Sequence, residues 1–113
     1  MSEVLNVTDK SFKEEVLDSK IPVLVDMWAP WCMPCRFVAP TIDEISEEYK
    51  NVVKVVKINV DENLIASQLS ISSIPTLLIF KNGKVVDSLV GAVPKKSIIS
   101  RLDSMLKISQ AEA

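Results

Sequence analysis

Residues 22–45 read PVLVDMWAPWCMPCRFVAPTIDEI, and the spacing of apolar residues changes in the middle of the stretch. From Pro22 to Trp28 the chain is a nearly continuous apolar run with β-branched valines, the composition of a strand buried on both faces. Beyond the cysteines, Val38, Ile42, Ile45 and Tyr49 recur at steps of four, three and four. They form one stripe of a helix whose wet face carries Asp43, Glu44, Glu47 and Glu48. The segment between is therefore a strand-to-helix junction, and both cysteines of the chain sit in it. Pro40 predicts a kink in the helix, because it lacks an N–H and its ring clashes with the preceding turn. Asp26 is the one residue of the strand that does not fit its surroundings.

The same alternation extends in both directions. Upstream, Val4, Leu5 and Val7 predict a short strand, and Thr8 is placed to cap a helix using Phe12, Val16 and Leu17. Downstream, residues 52–60, VVKVVKINV, read as another strand, and Asp61 is placed to cap a short helix through Leu64, Ile65 and Leu69. TLLIF after Pro75 reads as a further buried strand. Asn82-Gly83 is a hairpin turn signal, since both central residues of such a turn need positive φ, so Thr76–Lys81 and Lys84–Val90 should pair antiparallel. Pro94 opens a last helix that turns Ile98, Leu102 and Met105 inward. The resulting order, β-α-β-α-β-α-β-β-α, predicts an α/β fold: a central mixed five-stranded sheet flanked by four helices. No repeat or linker divides the chain; residues 1–107 read as one domain and 108–113 as a short tail prone to fraying.

Composition narrows the function classes. At 113 residues and 48% apolar content the chain can fill one core. Its net charge is −2 and its basic residues are dispersed, which argues against nucleic acid as a partner. No apolar run approaches a membrane span, and residues 1–15 have no basic segment followed by an apolar one, so a cytoplasmic protein is expected. Two cysteines are too few for a disulfide scaffold, and the thiols are expected to do something other than hold the fold.

If the second helix starts near Cys32, Cys35 lies one turn deeper. Helix residues three apart have Cβ atoms roughly 5–6 Å apart, close to the span of a disulfide, so the pair can open and close with little backbone motion. The positive end of the helix favours a thiolate, with Arg36 adding to the field, which makes Cys32 the expected nucleophile and Cys35 the resolving thiol. Two other readings stand beside this one. A zinc site would require carboxylates or a partner chain, because the sequence has no histidine and no third cysteine, and no metal is expected. Buried, inert cysteines are common in general but sit poorly at a strand-to-helix junction.

VDMWAPWCMPCRFVAPTIDEI, VKINVDEN, SIPTLLIFKNGK and LVGA together resemble the thioredoxin family over essentially the whole chain to about Lys107. The combination of CxxC with Asp26, Pro40, Ile74-Pro75-Thr76, Gly83 and Gly91 is what makes the likeness specific. The resemblance implies the thioredoxin-like fold and a reductase of protein disulfides. Its partners would be disulfide-containing proteins and a thioredoxin reductase supplying electrons, with no bound cofactor and with the chain acting as a monomer. It also implies that Asp26 is a buried base for Cys35, its pKa raised by desolvation; a satisfied structural aspartate is the alternative. Lys57 would partner this acid, unless it is simply a solvated strand lysine. Ile74-Pro75 would be a cis peptide whose backbone offers a strand-like edge to an extended substrate. Trp31, Met33, Pro34, Ile74, Pro75, Gly91 and Ala92 would surround the thiol as an apolar platform, with Trp28 packed beneath, and Gly91 would permit close backbone approach. Met33 stands where the family usually has glycine, Arg36 where it has lysine, Met27 where it has an aromatic, and Ser73 where glycine is frequent. Such changes bear on potential and substrate choice. A thiol oxidant or isomerase, or a binding module using the same surface without turnover, are the rival functions.

Overall fold

The computed structural model describes residues 2–112. Its five strands are β1 (Leu5–Asn6), β2 (Val23–Trp28), β3 (Lys54–Asn59), β4 (Thr76–Lys81) and β5 (Lys84–Val90), arranged β1-β3-β2-β4-β5. β1 and β2 both run parallel to β3, whereas β4 is antiparallel to β2 and to β5. Three helices, α1 (Met33–Glu48), α2 (Ile65–Gln68) and α3 (Lys95–Glu112), and a π-helical segment (Lys13–Leu17) complete the fold. The mixed sheet flanked by helices is the architecture the sequence predicts. α3 continues into the segment 108–113, of which Ala113 lies outside the described residues, as does Met1.

Alternation along the strands divides the core into two layers. Leu24, Val55, Leu77, Ile79 and Leu89 face Val38, Ile42 and Ile45 of α1 and Ile98, Leu102 and Met105 of α3. Val23, Val25, Met27, Val56, Ile58, Leu78 and Phe80 pack on the other side with Phe12, Val16 and Ala66, under the π-helical segment and α2. Asp26 is two residues from Leu24, so its side chain belongs to the α1 face of β2.

The turn chemistry follows local sequence at one end of the sheet. Asn82 and Gly83 have φ of 53° and 77°, as the hairpin requires, and a Cβ on Gly83 would meet the Leu17 carbonyl oxygen at 3.0 Å. Pro94 precedes α3, and its carbonyl accepts from Ser97 N–H at 3.0 Å.

Two expected caps are not where local sequence puts them. Thr8 lies in a turn, its carbonyl accepting from Ser11 N–H at 3.1 Å, and the helical turn starts only at Lys13. α2 begins after Leu64 rather than at Asp61, and the carboxylate of Asp9 accepts from Leu64 N–H at 2.9 Å and Ile65 N–H at 3.1 Å. A distant side chain thereby satisfies N–H groups that the helix leaves unpaired. Asp9→Ala is expected to lower stability by about 1 kcal/mol, the usual worth of such a cap, while Asp9→Asn retains most of it. Urea unfolding would read this as a lower midpoint with an unchanged slope.

Candidate active site

Cys32 is the residue at which strand geometry becomes helix. Its φ and ψ of −84° and 108° are extended, it directly precedes the first residue of α1, and its Sγ accepts from Cys35 N–H at 3.2 Å. Pro34 occupies the first turn, where its missing N–H costs nothing. One turn brings the Cα atoms of Cys32 and Cys35 to 5.2 Å, and the two sulfurs are joined in a disulfide. Cys35 is buried, and Cys32 is covered to 4% exposure. Both pack in a small cluster with Ala29, against Trp28, Val60 and Ile74. Pro40 lies inside α1, as the sequence predicts.

The second wall comes from the loop before β4. Ile74-Pro75 is cis, and the Ile74 carbonyl oxygen lies 3.9 Å from Cys32 Sγ. Pro75 is tied to the third wall, since Gly91 N–H donates to its carbonyl at 2.8 Å. Gly91 has φ of 93°, and a Cβ there would meet nothing within 4 Å. Its conformation, rather than crowding from this chain, is what excludes a side chain. Ala92 follows it, exposed.

Trp31 is 67% exposed, and its indole Nε1–H donates to Asp61 Oδ2 at 2.7 Å. Asp61, expected as a helix cap, instead holds this ring from the end of β3; its own N–H donates to Asn59 Oδ1 at 2.9 Å. Met33 and Phe37, four residues apart on α1, are 67% and 81% exposed. Phe37 was not among the site residues expected from sequence. Its signal is its position: an aromatic residue off the stripe Val38, Ile42, Ile45 must point to solvent. Arg36 is exposed beside them, its Nη1–H donating to Met33 Sδ at 3.9 Å.

Asp26 is buried in β2, in register with Lys57 of β3 and Leu77 of β4. Burial pushes its carboxyl up to about 7; Lys57 pulls it down, and Asp43 adds a smaller upward push. Oδ1 has no hydrogen-bond partner among the described residues, and the Lys57 ammonium lies over the Trp28 ring, 4.8 Å from its centroid. Lys57 thus acts on Asp26 through space and on Trp28 by a cation–π contact. Trp28 packs against the cysteine cluster, and its Nε1 is also unpartnered among the described residues.

No group of three or more His, Cys, Asp or Glu among the described residues is placed to hold a metal ion. None of the described helices is long and apolar enough to cross a membrane.

The thioredoxin family model matches residues 3–104. The chain is 61% identical to "Thioredoxin 1" of Synechococcus elongatus over 107 residues, 94% of this chain and all of that one. It is 62% identical to the thioredoxin of a Synechocystis species over the same shares of both chains. It is 50% identical to the chloroplastic M-type thioredoxin of Spinacia oleracea, over 94% of this chain and 59% of that protein.

Proposed function

Since the chain belongs to the thioredoxin family of protein-disulfide reductases, we propose that Cys32 is its nucleophile, Cys35 its resolving thiol and Asp26 the base that serves Cys35. The reading rests on one observation above all: Cys32 caps the amino end of α1 while already bonded to Cys35 one turn on.

In the reduced protein, the Cys32 sulfur as thiolate is stabilised by the helix end and by Cys35 N–H. It attacks one sulfur of a substrate disulfide; that bond breaks, and one substrate thiolate leaves. Asp26 has a pKa near neutrality and lies on the face of β2 that α1 covers, so it is part-ionised and can take the Cys35 proton. The Cys35 thiolate then attacks Cys32 Sγ, releasing the second substrate thiolate and forming the disulfide seen here. Two electrons have passed to the substrate, and the described state is the oxidised end of the cycle.

The substrate chain lies, in this reading, along the Ile74-Pro75 edge, with Trp31, Met33, Pro34, Gly91 and Ala92 around it. Arg36, Lys57 and Trp28 support the site. Residues 1–107 form the functional domain, with 108–113 a tail; the protein acts as a monomer in a reducing, cytoplasm-like compartment, and a thioredoxin reductase restores the dithiol. Full-length similarity to the cyanobacterial thioredoxins supports this assignment.

Equilibration with glutathione buffers of stated ratio separates reductant from oxidant. A midpoint more negative than roughly −240 mV is expected, together with reduction of insulin disulfides. A midpoint above roughly −180 mV would assign the protein to oxidation or isomerisation instead.

A further inference from the structure

Met33, between the cysteines, places a third oxidisable sulfur at the mouth of the site. Met33 is 67% exposed, whereas Met27 is fully buried and Met105 is 7% exposed, so Met33 is the accessible methionine among the described residues. In the oxidised protein neither cysteine is a free thiol, and both are covered. An incoming oxidant therefore meets the Met33 thioether as the open sulfur of the site. Arg36 Nη1–H already points at that sulfur from 3.9 Å. A thioether is a weak acceptor, but a sulfoxide oxygen on the same atom is a strong one, and a guanidinium donor would hold it by a charge-assisted hydrogen bond.

We propose that Met33 is a modification site for hydrogen peroxide in the disulfide form of the protein, and that its sulfoxide slows the reduction of protein substrates. The Met33 sulfur attacks one peroxide oxygen; the O–O bond breaks and an S–O bond forms. Sulfur loses two electrons to the peroxide, whose other oxygen leaves as water with both protons. The product replaces a flexible apolar side chain with a polar one. It does so on the rim that carries Trp31 and Phe37, beside Cys32. A protein substrate approaching the sulfur must then desolvate the sulfoxide or do without that contact. A small disulfide, which reaches Cys32 without covering the rim, loses little. The consequence for rate rests on the reductase reading above; the site of oxidation does not.

The test treats the oxidised protein with hydrogen peroxide, maps the added oxygen by peptide mass spectrometry, and compares insulin reduction with reduction of a small aromatic disulfide before and after treatment. One oxygen is expected on Met33 ahead of Met27 and Met105, with insulin reduction falling about three- to tenfold, the scale of one lost apolar contact. The small disulfide should be reduced at an unchanged rate. A Met33→Leu protein, whatever its starting rate, should show the same insulin rate before and after peroxide, which removes any contribution from another methionine. Oxygen arriving first on a buried methionine, or a Met33 sulfoxide protein that reduces insulin undiminished, overturns the proposal. Failure of the untreated protein to reduce either disulfide overturns the reductase reading and, with it, the rate consequence, while the mapping still decides the oxidation site.

Discussion

A Cys32→Ser protein is expected to reduce insulin no faster than the dithiothreitol background, whereas a Cys35→Ser protein is expected to attack once and remain joined to its substrate. The difference follows from position. Only Cys32 stands at the helix end beside the Ile74 backbone, so its removal leaves no sulfur for the first exchange. Removing Cys35 leaves that exchange intact but takes away the thiol one turn deeper that would release the product. Non-reducing electrophoresis should show a mixed disulfide for the second variant alone, in amounts that approach one per protein chain. Equal turnover by wild type and both variants would end the dithiol mechanism, and partner binding indifferent to either substitution would favour a module that binds without turnover.

Asp26→Asn is expected to stabilise the oxidised protein in neutral and alkaline solution while slowing the reaction. The folded protein holds this carboxyl at about 7, against the ordinary 3.8, because burial disfavours its ionised form. Below about pH 4 both folded and unfolded chains carry the proton, and the group adds no pH-dependent penalty to stability. Between about pH 4 and 7 the unfolded chain has lost the proton and the folded one keeps it, so stability falls as pH rises. Above pH 7 both are ionised and the penalty stays constant, on the order of 4 kcal/mol for a carboxyl raised from 3.8 to about 7. The asparagine protein lacks this slope. Urea midpoints for the two proteins should therefore converge near pH 4 and separate towards pH 8, with the variant higher. Its approach to the mixed disulfide should be unimpaired, whereas release through Cys35 should slow and lose its pH dependence near neutrality, measured by stopped-flow with a fluorescent substrate. A wild-type midpoint that does not change from pH 4 to 8 would contradict the placement of this carboxyl, and an unchanged release rate would leave Asp26 a structural residue.

Where sequence reading succeeded, the cause was local. Asn82-Gly83 set the hairpin because positive φ is a property of the residues themselves, and Pro94 marked the start of α3 for a similar reason. The stripe Val38, Ile42, Ile45 gave the buried face of α1. Asp26 was conspicuous because a carboxylate is rare in an apolar strand, and it is buried there. The failures involve groups that meet only after folding. Asp9 caps α2 from 55 residues away, and Trp31 reaches Asp61 across 30, so no window of local pattern contains either pair. Asp61 was a credible cap by residue type and lost to the tertiary bond with Trp31, while Thr8 was taken up in a local turn with Ser11. Phe37 was legible but overlooked, since the helical stripe that defines the core also defines what must lie outside it. The cis bond before Pro75 was expected only by family resemblance, because the local preference is for trans.

The reversed direction of β4, between β2 and β5, has a consequence for how such a molecule diversifies. Because β4 starts where β2 finishes, and β5 returns to the same border, three stretches widely separated along the chain meet at one rim while the hairpin tip and the packed layers lie elsewhere. A side chain at a single rim position such as Met33, 67% exposed, can thus be exchanged without renegotiating the architecture that supports it.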